Sequence, residues 1–331
     1  MVLRTKHVRN VTAILDDIIE EYKKETPKAK RDWRTYEQRL AERIRTAISE
    51  LEPLVDEAIA SIKIVPRRRR GRKPELTLKQ KTVLLLLKHL IGKSNREMSI
   101  MVAIFSALSG IDVSYKTVER LYSDEEVLMV LHNMHSLLLK RKGVKRANCS
   151  GDGTGYSLTI KEHYATVVQK RKGGAKRSGK RARFVYSFRL MDLDTRMYIG
   201  YGTSLRSEDE AFLNAAEMAA ETGVGSVRLD KYYSGQRRVE LLGQKFGDVT
   251  VYLIPKRNAT VRGPWEWKQM LKRFVKDPEG YLREYFKRNQ SESGFSEDKR
   301  RFGWKVAQKR EDRIDTADFC TMVWHNLFWL G

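Results

Sequence analysis

Apolar positions recur at helical spacing from the start of the chain: Val11, Ile14, Leu15, Ile18, Ile19 and Tyr22 form one run. Pro27 interrupts it. A second run places Leu40, Ile44, Ile48, Leu51, Val55, Ile59 and Ile62 on one face, with Pro53 inside it. A proline there removes a donor and crowds the preceding turn, so a kink or division is expected. Two amphipathic helices over 1–65 fit a self-association element, or a helical hairpin docked on the rest of the same chain.

The next apolar period runs through 77–141. Leu78, Val83, Leu84, Leu86, Leu87, Leu90 and Ile91 predict a helix ending near Gly92. Ser94-Asn95-Arg96-Glu97 reads as a capping box for a second helix containing Met98, Met101, Val102, Phe105 and Leu108. Gly110 breaks that helix. Ser114 caps a short helix over 115–122, with Val118 and Leu121 inward and Tyr115, Lys116, Thr117 and Arg120 outward. Helix, helix, glycine turn and short polar-faced helix is the arrangement of a helix-turn-helix DNA reader, and any small helical bundle shares it. A further helix over 127–142 leads out.

From 147 the pattern changes. Alternating and continuous apolar runs at 184–191 and 197–201 predict strands joined by a turn holding Asp192 and Asp194. A helix from Ser207 to about Gly223, a strand at 227–230, a helix over 235–246 and a strand over 249–255 follow, then helices to the end. Strands alternating with helices mean an α/β sheet domain. The expected organisation is a helical region over 1–65, a linker over 66–76, a helix-turn-helix region over 77–146 and the sheet domain over 147–331.

Charge sharpens this picture. The 331 residues carry 65 Lys+Arg against 42 Asp+Glu, a formal charge of +23. Such a field suits a polyanion and is superfluous for small neutral metabolites. Residues 1–65 are nearly neutral, with 13 basic and 12 acidic side chains. The stretch 66–74 has six basic residues in nine, and 170–183 has eight in fourteen. The first cannot bury itself; it is an extended tether, or an arm resembling an AT-hook, with Arg70 and Arg72 lying in a narrow minor groove. Cys149 and Cys320 lack neighbouring thiols, which disfavours a disulfide scaffold or Cys-rich zinc module and fits a reducing, cytoplasmic compartment. No apolar run approaches a membrane span, and residues 1–10 lack the apolar stretch of a secretory signal.

Within so basic a chain, carboxylates at strand ends stand out. Asp152, followed by Gly153-Thr154-Gly155, and Asp230, after Val227-Arg228-Leu229, are each expected to end a strand where a ligand can approach, although either fits an ordinary turn. Tyr285, Arg288, Glu292 and Lys299 step by three, four and seven, so one helix would carry all four on one face. That face could grip a phosphate with Arg288 and Lys299 while Glu292 meets a metal, or hold surface salt bridges; Gly294 weakens it as a helix. Trp265 and Trp267, among Arg262, Lys268, Lys272 and Arg273, are either core residues or a platform for a flipped base. Glu208-Asp209-Glu210 falls in a first helical turn, where the dipole favours anions, and His132/His135 read as packing or surface residues.

The spacing Tyr285-x2-Arg288-x3-Glu292-x6-Lys299 resembles the Y-R-E-K signature of insertion-sequence DDE transposases. Asp152-Gly153-Thr154 resembles that family's first Asp motif. Leu229-Asp230-Lys231-Tyr232-Tyr233-Ser234 resembles the second, with Tyr232 in place of the usual glycine. The stretch 251–256 is similar to the family's strand and Pro-Lys step, and His325-Asn326-Leu327 to its closing helix. The resemblance covers 147–331 well and the helix-turn-helix region loosely. It implies an RNase H-like mixed sheet flanked by helices, preceded by an all-α N-terminal region with a helix-turn-helix. It further implies Asp152, Asp230 and Glu292 as metal-binding catalytic carboxylates for two Mg²⁺ or Mn²⁺ ions. Tyr285, Arg288 and Lys299 would hold transposon-end DNA, and Trp267 or Trp265 would stack a flipped base. Double-stranded DNA, both ends and target, would be the partner, with a homodimer in the synaptic complex and a place on the nucleoid. A catalytically silent DNA-binding descendant and another RNase H-fold nuclease are the alternatives.

Overall fold

A computed structural model describes residues 2–25, 32–62, 76–92, 98–109, 112–158 and 184–331. Arg70 and Arg72 in the basic arm, the Ser94–Glu97 capping box and the basic stretch 170–183 lie outside the described residues.

The N-terminal region holds α1 (Thr5–Ala13), α2 (Leu15–Glu25) and α3 (Trp33–Ala60). The first apolar run is therefore split near Ile14. Pro53 does not divide the second run; α3 continues through it for 28 residues. The expected break is overridden by packing, because Leu51, Leu54, Val55 and Ala58 flank the proline and are buried in one cluster with the helices that follow. Asp32 caps α3, accepting from the backbone N–H of Arg34 at 3.1 Å and of Thr35 at 3.4 Å. The apolar face of α3 is thus covered within the chain from Leu51 onward, while Ile48 stays exposed, and Val8 and Leu15 of α1 and α2 join the core around the sheet.

Next come α4 (Leu78–Ile91), α5 (Met98–Ser109), α6 (Tyr115–Leu121) and α7 (Glu125–Arg141). Thr77 and Gln80 form a capping box on α4, and Gly92 ends it in the left-handed conformation that glycine permits (φ 67°). Ser114 caps α6, whose Val118 and Leu121 are buried while Lys116 and Arg120 face solvent. These are the orientations read from the sequence.

The sheet contains β1 (Ala147–Leu158), β2 (Phe184–Asp192), β3 (Tyr198–Ser204), β4 (Val224–Arg228), β5 (Thr250–Tyr252) and the two-residue β6 (Lys305–Val306), which the sequence reading did not anticipate. Its order is β3-β2-β1-β4-β5, with β6 beside the end of β1. The β1–β2 and β2–β3 pairs are antiparallel, and β1–β4 and β4–β5 are parallel. Helix α8 (Glu208–Ala220) lies on one face so closely that a Cβ at Gly200 or Gly202 would overlap its backbone carbonyls. Helices α9 (Gln236–Phe246), α10 (Trp265–Lys276), α11 (Pro278–Phe286), α12 (Asn289–Phe302) and α13 (Glu311–Phe328) complete the domain. This is the expected α/β architecture, a mixed open sheet flanked by helices behind an all-helical region, and it is consistent with an RNase H-like fold. Among the described residues no helix is long and apolar enough to cross a membrane.

Candidate active site

Strand periodicity sorts the side chains of β1 between two faces. Odd positions are small: Cys149, Gly151, Gly153 and Gly155. A Cβ at Gly151 would run into Leu229, Leu190 and Phe188, one at Gly153 into the Glu208 side chain and one at Gly155 into the Phe184 ring, so at these three positions this side admits no side chain. Even positions face α12. Ser150 Oγ lies 2.8 Å from Ser291 Oγ and donates to Arg288 O at 3.0 Å, while Lys299 Nζ donates to Thr154 Oγ1 at 2.6 Å. Asp152 lies between these contacts, on the same face.

Ser150 pairs with Arg228 across the parallel β1–β4 ladder. Asp152 and Asp230 each lie two residues farther on, so the ladder brings both to one side of one sheet end. Asp152 is mid-strand, paired with Arg189 of β2, and does not terminate β1 as expected. Only the β4 partner stops there. Asp230 does follow its strand, and its carboxylate accepts from Lys231 N at 2.6 Å to open the short 3₁₀ turn Lys231–Tyr233.

Tyr285, Arg288, Glu292 and Lys299 do not share one uninterrupted helix. Tyr285 belongs to α11, Lys287 and Arg288 form the joint, and Glu292 sits in the first turn of α12. The joint keeps helical backbone angles (Arg288 φ −57°, ψ −26°), so the four still converge. Gly294 does not weaken α12. It seats it, because a Cβ there would overlap Met191 Cε and lie 2.7 Å from Tyr198 Oη.

Arg288 is the hub. Its Nη1 is 2.7 Å from Glu292 Oε1, its Nη2 is 3.8 Å from Asp230 Oδ1, and its guanidinium lies over the Tyr285 ring at 5.4 Å. Its Nε is buried and has no hydrogen-bond partner among the described residues. Burial pushes the Asp152 carboxyl up to about 6, and the nearby charges of Glu292 and Asp230 add to the rise against the Gly153 N–H and Arg288. Burial also raises Tyr285, with Arg288 opposing and Asp230 reinforcing. Burial lowers Lys299, as does Arg189, while Asp152 pulls the other way. Asp152 therefore senses both Glu292 and Asp230. Asp230 and Glu292 remain open to ligands, with side chains 45% and 49% exposed.

Beneath this centre lies a buried network the sequence reading missed. Arg189, fully buried on β2, pairs with Asp298 of α12 and Asp318 of α13. Asp298 also accepts from Tyr198 Oη at 3.0 Å and lies 2.8 Å from His325 Nδ1. Asn326 brackets Tyr198, accepting from its N–H and donating to its carbonyl, both at 2.8 Å. Arg228 is likewise buried, and its Nε donates to Glu284 O at 2.8 Å, tying β4 to α11. The available sequence signal was Asp298 itself, an acid at the inward step of the helix that carries Glu292.

Other expected sites fare differently. Trp267 is 3% exposed, and its indole N–H donates to Thr260 O at 2.8 Å, so this ring is a core residue and cannot present a face to a base. Trp265 is 69% exposed. Glu208, Asp209 and Glu210 disperse to Tyr233, Arg238 and Ser204. His132 and His135 pack on Phe319. Among the described residues no three acidic, His or Cys side chains close into a ready metal cage.

No family model matches the chain. It is 45% identical over 325 residues, 98% of this chain and 95% of the other, to a protein of Archaeoglobus fulgidus described as "Probable transposase for insertion sequence element ISA1214".

Proposed function

This chain belongs to the transposases of insertion sequences, and from that premise we propose that it binds the terminal repeats of its element, cleaves the element ends and joins them to target DNA. The observation that supports this most strongly is the convergence of Asp152, Asp230 and Glu292 on Arg288 at the end of the β1–β4 ladder.

The donor set fits hard divalent cations: oxygen ligands only, two of them exposed, with Arg288 as the countercharge that must yield when ions arrive. Asp152, Asp230 and Glu292 would hold two Mg²⁺ or Mn²⁺ ions, which supply activation of the attacking oxygen and charge stabilisation at the leaving oxygen. Arg288, released from Glu292, would turn to a phosphate oxygen. Lys299, held beside Asp152 by Thr154, would hold the same backbone, and Tyr285 would keep the Arg288 plane in place. No covalent protein–DNA bond is required.

Recognition would fall to α6, which offers Lys116 and Arg120 to a major groove, and to Arg70 and Arg72 in the minor groove. Pairing two ends requires two active sites, so the working form would be a homodimer on DNA in the nucleoid. Incubation of the chain with DNA bearing the repeats that flank its gene, plus Mg²⁺, tests the reading. End nicking and strand transfer support it. Cleavage that ignores the repeats points to a general nuclease, and binding without cleavage in any metal points to a silent descendant.

A further inference from the structure

Away from the carboxylates, α12 turns a second face toward the start of α3 and the end of α13. A cavity of about 440 Å³ lies there, with Arg39, Arg43, Arg196, Arg301, Glu297 and Trp329 in its lining. The guanidinium groups of Arg43 and Arg196 lie 3.7 Å and 4.3 Å from the Trp329 ring, and that of Arg301 lies 4.5 Å from the Phe328 ring. Stacking shields the planes of these groups, so any partner must come to their N–H edges. Among the described residues, Arg196 Nε and Nη2, Arg301 Nη1 and Trp329 Nε1 are buried donors without a hydrogen-bond partner. Glu297 Oε2 is a buried acceptor in the same condition. Buried polar groups in native proteins are almost always satisfied, so four orphaned donors at one cavity mark a missing acceptor.

Charge points the same way. Four guanidinium groups line the cavity against two carboxylates, Glu297 and Asp32, an excess of two positive charges. Burial, together with Arg196 and Arg301, disfavours the charge on Arg43, with Glu297 opposing. Arg196 is held at φ 62°, alone among described non-glycine residues in the left-handed region. Its carbonyl lies 3.0 Å from His325 Nε2, which fixes this turn and so aims the side chain.

We propose that this cavity is a phosphate-binding site distinct from the catalytic carboxylates. A tetrahedral oxyanion presents the several acceptors that the arginine edges and the indole N–H lack, and arginine forks match it geometrically. The phosphate comes either from a DNA backbone or from free inorganic phosphate.

Calorimetric titration of the full chain with inorganic phosphate, in chloride buffer of fixed ionic strength, tests the site without any cleavage reaction. Its outcome is therefore independent of the transposase chemistry. One phosphate per chain is expected, weakened at least about tenfold in an Arg196→Asn/Arg301→Gln variant. Asn tolerates the left-handed backbone at 196. Should that variant not fold, Glu297→Gln decides, because removing the cavity's own anion tightens phosphate binding several-fold. A second arm measures duplex affinity against salt. A slope reduced by about 1 in the variant identifies a DNA phosphate as the occupant, with or without measurable binding of the free ion. An unchanged slope with phosphate binding retained in the wild type identifies free phosphate. The proposal is overturned if the wild type binds no phosphate and the slope is unchanged, or if bound phosphate ignores all three substitutions.

Discussion

Asp298→Asn tests whether the buried network seats α12, the helix that carries Glu292. Asp298 is fully buried and receives Arg189, Tyr198 and His325. Burial pushes its carboxyl up, but His325, Arg189 and Tyr198 outweigh this and hold it below the ordinary carboxylate value. Its ionised form is therefore the stable one in the fold. The stabilisation is present above the ordinary Asp range and is lost as pH falls through and below it. Removing one partner of a buried ion pair costs about 3–5 kcal/mol, because the other charge stays buried. Arg189 keeps Asp318 in this case, so the lower end, about 3 kcal/mol, is expected. Urea unfolding at pH 7.5 reads this as a lower midpoint at unchanged slope. A parallel Asp318→Asn variant and the double variant complete a cycle, in which the two losses are non-additive because both acids share Arg189. A loss under about 0.5 kcal/mol, or strict additivity, would refute the network as the seat of α12.

Three further outcomes follow from the same contacts. Gly294→Ala, despite its better helix propensity, should destabilise by about 1–2 kcal/mol in thermal unfolding and slow end cleavage, because the methyl overlaps Met191 and Tyr198 under α12. Lys88 is buried against Tyr122, and burial lowers it to about 8. Stability should therefore rise between about pH 8 and 10.5, by about 3 kcal/mol relative to Lys88→Met, which removes the titration. Trp267→Ala should cost about 3–5 kcal/mol of stability, whereas Trp265→Ala leaves the unfolding midpoint unchanged; equal midpoints would contradict the burial assigned to Trp267.

Local patterns carried the sequence reading far. The apolar periods of α4 and α7, the start of α8 at Ser207 and the cap at Ser114 are short-range features, and they stand where the sequence put them. The candidate carboxylates were picked out by local features, a strand end that holds for Asp230 and not for Asp152, and a 3-4-7 spacing that spans the joint of two helices. Long-range effects escaped. Pro53 reads as a break until the packing of Leu51, Leu54 and Val55 outweighs one lost hydrogen bond. Gly294 reads as a helix breaker until β2 and β3 arrive beneath it. Arg189 and Asp298 lie on different elements and look like ordinary charged residues when taken singly. Trp267 among basic neighbours suggested a base platform, but its helix turns that ring into the core while Trp265, two residues earlier, points to solvent.

The central claim is that Asp152, Asp230 and Glu292 form one DNA-cleaving centre. Its most direct test is the nicking rate on end DNA, with Mg²⁺, for Asp152→Asn, Asp230→Asn and Glu292→Gln, each beside a gel-shift measurement of end binding. Asp209→Asn, whose carboxylate pairs with Arg238, serves as the control. The account predicts that each of the three variants loses nicking by about a thousandfold or more while still binding ends, and that Asp209→Asn cleaves normally. Wild-type nicking by any one of the three would contradict it.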